Sequence, residues 1–145
     1  MPHAQASITI ARPVKAVYEF VMKGENNPLW RPNVLEVERV PGKPAAAGAL
    51  FKQQVKGFFG RRTPADYELT QCVPSKTIRY RVIAGRTRST GTYSFRASSG
   101  STVITYRLDL GTTGFAMLRD PLINRSFRSE VKTLANLKEY LESQA

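Results

Sequence analysis

Between residues 34 and 110, apolar side chains recur at every second position, and clusters of Pro, Ser and Gly interrupt the alternation at short intervals. A period of two sends successive side chains to opposite faces of a strand. The segments VLEVERV, ALFKQQVKG, RRTPADYELTQCV, KTIRYRVIAG, STGTYSFRA and STVITYRLDL therefore predict antiparallel strands joined by short turns, with ASITI at 6–10 as an earlier strand. Tyr67, Tyr80, Tyr93 and Tyr106 stand 13 residues apart, one to each predicted strand. Alternation groups Tyr67 with Leu69, Tyr80 with Ile78 and Val82, Tyr93 with Phe95, and Tyr106 with Ile104 and Leu108 on one apolar face. It sends Arg79, Arg81, Arg96 and Arg107 to the wet face, so the arginines are expected to point outward.

The flanks have a different period. In RPVKAVYEFVM, Val14, Val17, Tyr18 and Val21 step by three and four behind Pro13, which predicts a short helix over 13–23. Pro28 and Pro32 bracket Trp30, the only tryptophan, and leave room for one further helical turn. Near the other end, Ile123, Phe127, Val131, Leu134, Leu137 and Leu141 form a helical stripe behind Asp120-Pro121, an N-cap and first-turn pair. One long amphipathic helix is predicted there, covering the apolar face of the sheet.

This layout resembles the START-like superfamily, also called helix-grip or SRPBCC, and within it the polyketide cyclase/dehydrase type. The resemblance is carried by ITIARPVKAVYEFV (8–21), NNPLWRPNV (26–34), GALFKQQV (48–55), GTYSFRA (91–97) with STVITYRLDL (101–110), and the closing LANLKEYLE. It spans essentially the whole chain, and the high arginine content departs from it. It implies an α+β helix-grip fold in a single domain, residues 1–145. A curved antiparallel sheet of about seven strands would wrap around the long C-terminal helix, with two short helices after the first strand. It also implies a cavity between sheet and helix, closed at one end by the short helices. Trp30 would then plug or gate that cavity, or serve as a plain core tryptophan.

Such an interior would be aromatic with polar handles. The hydroxyls of Tyr67, Tyr80, Tyr93 and Tyr106 would orient a ligand's oxygens or bond one another. Gln53 shares a strand face with Phe51 and Val55 and is a candidate polar contact. Trp30 and Phe95 add aromatic surface, and TTGFAML places Phe115 and Met117 where a portal would lie, a position that helix packing explains equally well. At the rim, Phe58 and Phe59 beside Arg61 and Arg62 belong to a hairpin that folds back over the cavity mouth, makes a dimer contact, or touches anionic membrane.

Composition narrows the chemistry. The chain has 145 residues, 41% of them hydrophobic, and its apolar runs fall far short of the roughly 20 residues that span a bilayer. The first residues lack the basic and apolar regions of a signal peptide, and Cys72 has no second cysteine to pair with, so a cytoplasmic location is expected. The one histidine, His3, is expected near a frayed end, so no Ser-His or Cys-His pair is assembled around it, and one histidine with one cysteine excludes a conventional zinc site. Phosphate-loop and dinucleotide glycine motifs are missing too, so no metal or cofactor is expected. The 22 Lys and Arg against 11 Asp and Glu give a net charge of +11, which attracts phosphates, although no run of five basic residues occurs.

Three functions remain open. The first is binding or carriage of a small hydrophobic or aromatic ligand, lipid-like or polyketide-like, in the internal cavity. The second is a polyketide cyclase or dehydratase that uses Tyr or Arg as acid or oxyanion partner. The third is surface binding to anionic lipid or nucleic acid. A monomer or a homodimer is expected.

Overall fold

A computed structural model describes residues 3–42, 46–56, 60–85, 88–109 and 121–144. The chain opens with β1 (His3–Ile10) and α1 (Val14–Met22). A 3-10 turn (Gly24–Asn26) and α2 (Asn27–Trp30) follow at once. The strands come next: β2 (Val34–Arg39), β3 (Leu50–Lys56), β4 (Arg62–Pro64), β5 (Tyr67–Val73), β6 (Thr77–Val82), β7 (Thr90–Ser98) and β8 (Ser101–Asp109). Two helical segments close it, α3 (Pro121–Val131) and α4 (Leu134–Ser143).

Seven strands form one antiparallel path, β1-β8-β7-β6-β5-β3-β2, and the short β4 pairs with β3 beside it. β1 and β2 are consecutive strands at opposite edges, so α1, the turn and α2 cross the mouth of a curled half-barrel. Register shifts between Leu69 and Gln71 in β5, and between Val34 and Glu36 in β2, are where this curl is sharpened. The hairpin from β7 to β8 turns on Ser99 and Gly100, both with positive φ, as the SSGS cluster leads one to expect.

Two segments depart from the sequence reading. The stretch expected as a single strand over 61–73 divides at Ala65-Asp66. Pro64 brings no N–H to a ladder, while Ala65 N donates to Gln53 O (2.8 Å) and Asp66 Oδ1 accepts from Gln53 N (3.2 Å). The final helix is interrupted at Lys132-Thr133. There the Thr133 hydroxyl and amide both donate to the Glu130 carbonyl, and the ladder tightens to the i→i−3 pattern. The apolar stripe survives the break: Val131, Leu134 and Leu137 are buried, and Phe127 and Leu141 are partly so.

α1 and α4 each present an apolar stripe to the sheet. α1 buries Val17, Tyr18 and Val21, and the Tyr18 ring meets Phe95 edge-on at 5.2 Å. The end of α4 is tied to the end of β1: Ala11 N donates to Glu142 Oε2 (2.7 Å), Arg12 Nη2 to Glu142 O (2.9 Å), and Lys138 Nζ to Thr9 O (2.8 Å). His3, expected near a frayed end, pairs with Asp109 as the first residue of β1. Among the described residues no helix is long and apolar enough to cross a membrane.

Candidate functional site

Strand alternation delivers the four phenols to one face. Tyr67, Tyr80, Tyr93 and Tyr106 are all buried, on four strands that are successive neighbours in the sheet. Their rings form a continuous row with Phe51. Centroids lie 4.8 Å apart from Phe51 to Tyr67, 5.4 Å to Tyr80, 6.1 Å to Tyr93 and 4.3 Å to Tyr106. Two glycines make room for it. A Cβ at Gly91, on β7, would collide with the Tyr80 ring, and one at Gly24 would collide with the Tyr67 hydroxyl and the Phe51 ring.

Trp30 ends α2 and is 2% exposed, with its ring centroid 6.1 Å from Tyr93 and 6.5 Å from Tyr106. Asn136 of α4 holds this turn by donating to the Trp30 carbonyl (3.2 Å). The indole Nε1 has no hydrogen-bond partner and is the one such buried side-chain nitrogen or oxygen among the described residues. An orphaned buried donor costs about 1–3 kcal/mol.

Arg31 overturns the expectation that the arginines point outward. The strand arginines do, but Arg31 lies on no strand. Pro32 disfavours the helical conformation for the residue before it, and Arg31 is extended (φ −110°, ψ 96°) where α2 stops. Its side chain is 8% exposed and its Nε donates to Glu130 Oε2 at 2.8 Å. Burial works against the cation, but Glu130 and the phenols outweigh it and hold the guanidinium well above its ordinary pKa. Arg31 is a permanent interior charge.

Glu130 connects that charge to the phenol row. Tyr106 Oη donates to Glu130 Oε2 (3.5 Å) and lies 2.6 Å from Tyr80 Oη. A carboxylate only accepts, so with Tyr106 donating to it, Tyr80 must donate to Tyr106. Donation therefore runs from Tyr80 through Tyr106 to Glu130, and Arg31 donates to the same carboxylate from the other side. A second cluster lies beside it: Asn27 Nδ2 donates to Tyr67 Oη (3.1 Å) and Gln53 Oε1 (3.2 Å), and Gln53 Nε2 donates to the Ala65 carbonyl (3.4 Å). Burial raises the pKa of all four tyrosines, well above the usual value for Tyr93 and Tyr106, so the phenols remain neutral donors.

Of the residues expected in the site, Trp30, Phe51, Gln53, Tyr67, Tyr80, Tyr93 and Tyr106 come together here. Phe95 is buried on the same sheet face but packs under α1 against Tyr18. Phe115 and Met117, and the rim pair Phe58 and Phe59, lie outside the described residues; Arg61 and Arg62 are exposed. Cys72 is partly buried against the core, and burial raises its thiol pKa. Three residues were missed from the sequence: Asn27, Arg31 and Glu130. Their signals were the proline after Arg31 and the placing of Glu130 three residues after Phe127 and four before Leu134, inside the apolar stripe. No group of three or more His, Cys, Asp or Glu among the described residues could hold a metal ion.

A family profile described as polyketide cyclase/dehydrase and lipid transport matches residues 1–142. No curated protein matches the sequence. Among solved structures, the chain is similar to TTHA0849 from Thermus thermophilus, at 20% identity over 99% of this chain and 100% of that one, with a TM-score of 0.79. It is similar to Ara h 8.0201 at 17% identity over 99% of both chains, with a TM-score of 0.76. The di-domain ARO/CYC StfQ from the steffimycin biosynthetic pathway aligns at 16% identity over 97% of this chain and 50% of that one, with a TM-score of 0.70. At such identities the likeness is one of fold.

Proposed function

The chain belongs to the polyketide cyclase/dehydrase and lipid transport family, and we propose that it binds a small, largely apolar or aromatic ligand against the row of phenols, with an oxygen acceptor of that ligand on Trp30 Nε1. The orphaned indole N–H carries this reading: a donor buried beside a fixed cation is costly unless an acceptor completes it. The ion pair supports it. A buried Arg-Glu pair adds little stability over apolar residues of the same volume, so its retention fits recognition of a polar group better than core building. Phe51, Tyr67, Tyr80, Tyr93 and Tyr106 would supply the aromatic wall, and Gln53 a polar contact.

Because Trp30 is the only tryptophan, its emission reports on this site alone. Titration with a hydroxyanthraquinone and with a long-chain fatty acid should give saturable quenching by at least one of them. That probe should also raise the thermal midpoint, since a hundredfold excess over Kd stabilises by about 2.7 kcal/mol. If neither probe changes the emission or the midpoint, the reading fails.

Arg31 favours a second reading, in which the same site cyclises or dehydrates a polyketide-like chain. Arg31 would stabilise a developing oxyanion, and the hydroxyl chain would relay a proton taken from the substrate at Tyr80 through Tyr106 to Glu130. Tyr80→Phe and Tyr106→Phe variants that bind ligand but lose turnover would support catalysis; unchanged turnover would remove the phenols from it.

A further inference from the structure

The outer face of the sheet carries a second arrangement that the interior does not use. Strand register sets Arg79, Thr92, Arg107 and Gln5 side by side across β6, β7, β8 and β1. The next outward row is Thr77, Ser94, Thr105 and Ser7, four hydroxyls in a line. Gln5, Arg79, Thr92, Ser94, Thr105, Arg107 and Asp109 line an open depression of about 580 Å³ on this face.

The two arginines are already oriented. Arg79 Nε donates to Thr92 Oγ1 (3.3 Å), and Arg107 Nε donates to both carboxylate oxygens of Asp109 (3.1 and 3.0 Å). Among the described residues neither one uses its terminal nitrogens, and Arg79 has no carboxylate partner. Two strand spacings separate their backbones, roughly 9.6 Å, so both side chains can reach a group seated over Thr92. Two guanidinium forks and a hydroxyl suit a tetrahedral dianion with three terminal oxygens, whereas one fork satisfies a carboxylate. The residues that line the depression include no aromatic side chain on which a nucleobase could stack, and the depression is local.

We infer that this depression is a second ligand site, taking the phosphate of a phosphomonoester between Arg79 and Arg107 and its hydroxylated body against Gln5, Asp109 and the Ser/Thr row. It is independent of the interior ligand. The phosphomonoester is either a free metabolite or a lipid headgroup, and the two differ in what presents them.

The test follows the arginine Nε–H resonances of the full chain during titration with glycerol 3-phosphate and, separately, with vesicles containing phosphatidic acid. Sodium chloride matched in ionic strength is the control. Arg79 and Arg107 should shift saturably while Trp30 emission stays constant. Arg79→Gln with Arg107→Gln should weaken binding about tenfold or more, because two charge-assisted contacts are lost. Arg81→Gln, which removes a charge from the same face outside the depression, should leave it nearly unchanged. Saturation by the soluble ester assigns a free ligand, and a response to vesicles alone assigns a headgroup. Shifts that chloride reproduces, or equal weakening by Arg81→Gln, overturn the site.

Discussion

Arg31 Nε lies 2.8 Å from Glu130 Oε2, and this single contact joins the loop after α2 to the last turn of α3 across the interior. Both side chains are shielded from solvent, so neither can be removed without stranding the other. Arg31→Met or Glu130→Leu alone should destabilise by about 3–5 kcal/mol, and the double variant should recover most of that loss. Urea denaturation of the four proteins closes the cycle. Single variants that cost under about 1 kcal/mol would show a pair screened as surface pairs are.

The buried phenols make stability fall on the alkaline side. Burial raises the folded pKa of Tyr67, Tyr80, Tyr93 and Tyr106, whereas the unfolded chain ionises near 10. Above that pH the unfolded state holds fewer protons than the folded one. Stability is therefore complete below about pH 10 and declines as pH rises beyond it. Absorbance at the phenolate band should show these four of the six tyrosines ionising together with unfolding. Ionisation of all six near pH 10 with ellipticity intact would contradict the burial.

Gly91 is required by its neighbour across the strand rather than by its own backbone. It pairs with Tyr80, whose ring occupies the space where a Cβ would go. Gly91→Ala should cost about 1–3 kcal/mol by overpacking and should break the bond between Tyr80 and Tyr106. Gly100 is the control, since a Cβ there meets nothing within 4 Å and only its φ of +83° opposes substitution. Gly100→Ala should cost less and leave near-ultraviolet ellipticity from the phenols unchanged.

How far the sequence predicts this arrangement depends on what carries each signal. The phenol face was legible because strand alternation is strict and each tyrosine falls on its own strand. α1 was legible from Val14, Val17, Tyr18 and Val21, and the observed helix starts one residue after Pro13. The break at Thr133 was not, since a threonine inside an apolar stripe looks like any helical residue until its hydroxyl takes the Glu130 carbonyl. Arg31 and Glu130 were missed for a related reason. Charged side chains are read as solvated by default, and only the meeting of two elements 99 residues apart shows them as one buried pair.

Trp30 offers the sharpest separation of ligand binding from core packing. Trp30→Phe deletes both indole volume and the unpartnered N–H, so two effects oppose each other in the unliganded protein: lost packing, about 1–3 kcal/mol, and relief of an orphaned donor of similar size. Net stability should change by about 1 kcal/mol or less. Binding should not show that cancellation. A ligand whose carbonyl or hydroxyl oxygen meets Nε1 should lose about tenfold in affinity to the variant, while its analogue lacking that oxygen should bind both proteins alike. Calorimetry on two ligands and two proteins measures the coupling. Equal losses for both ligands would reduce Trp30 to a packing residue and leave its Nε1 without a role.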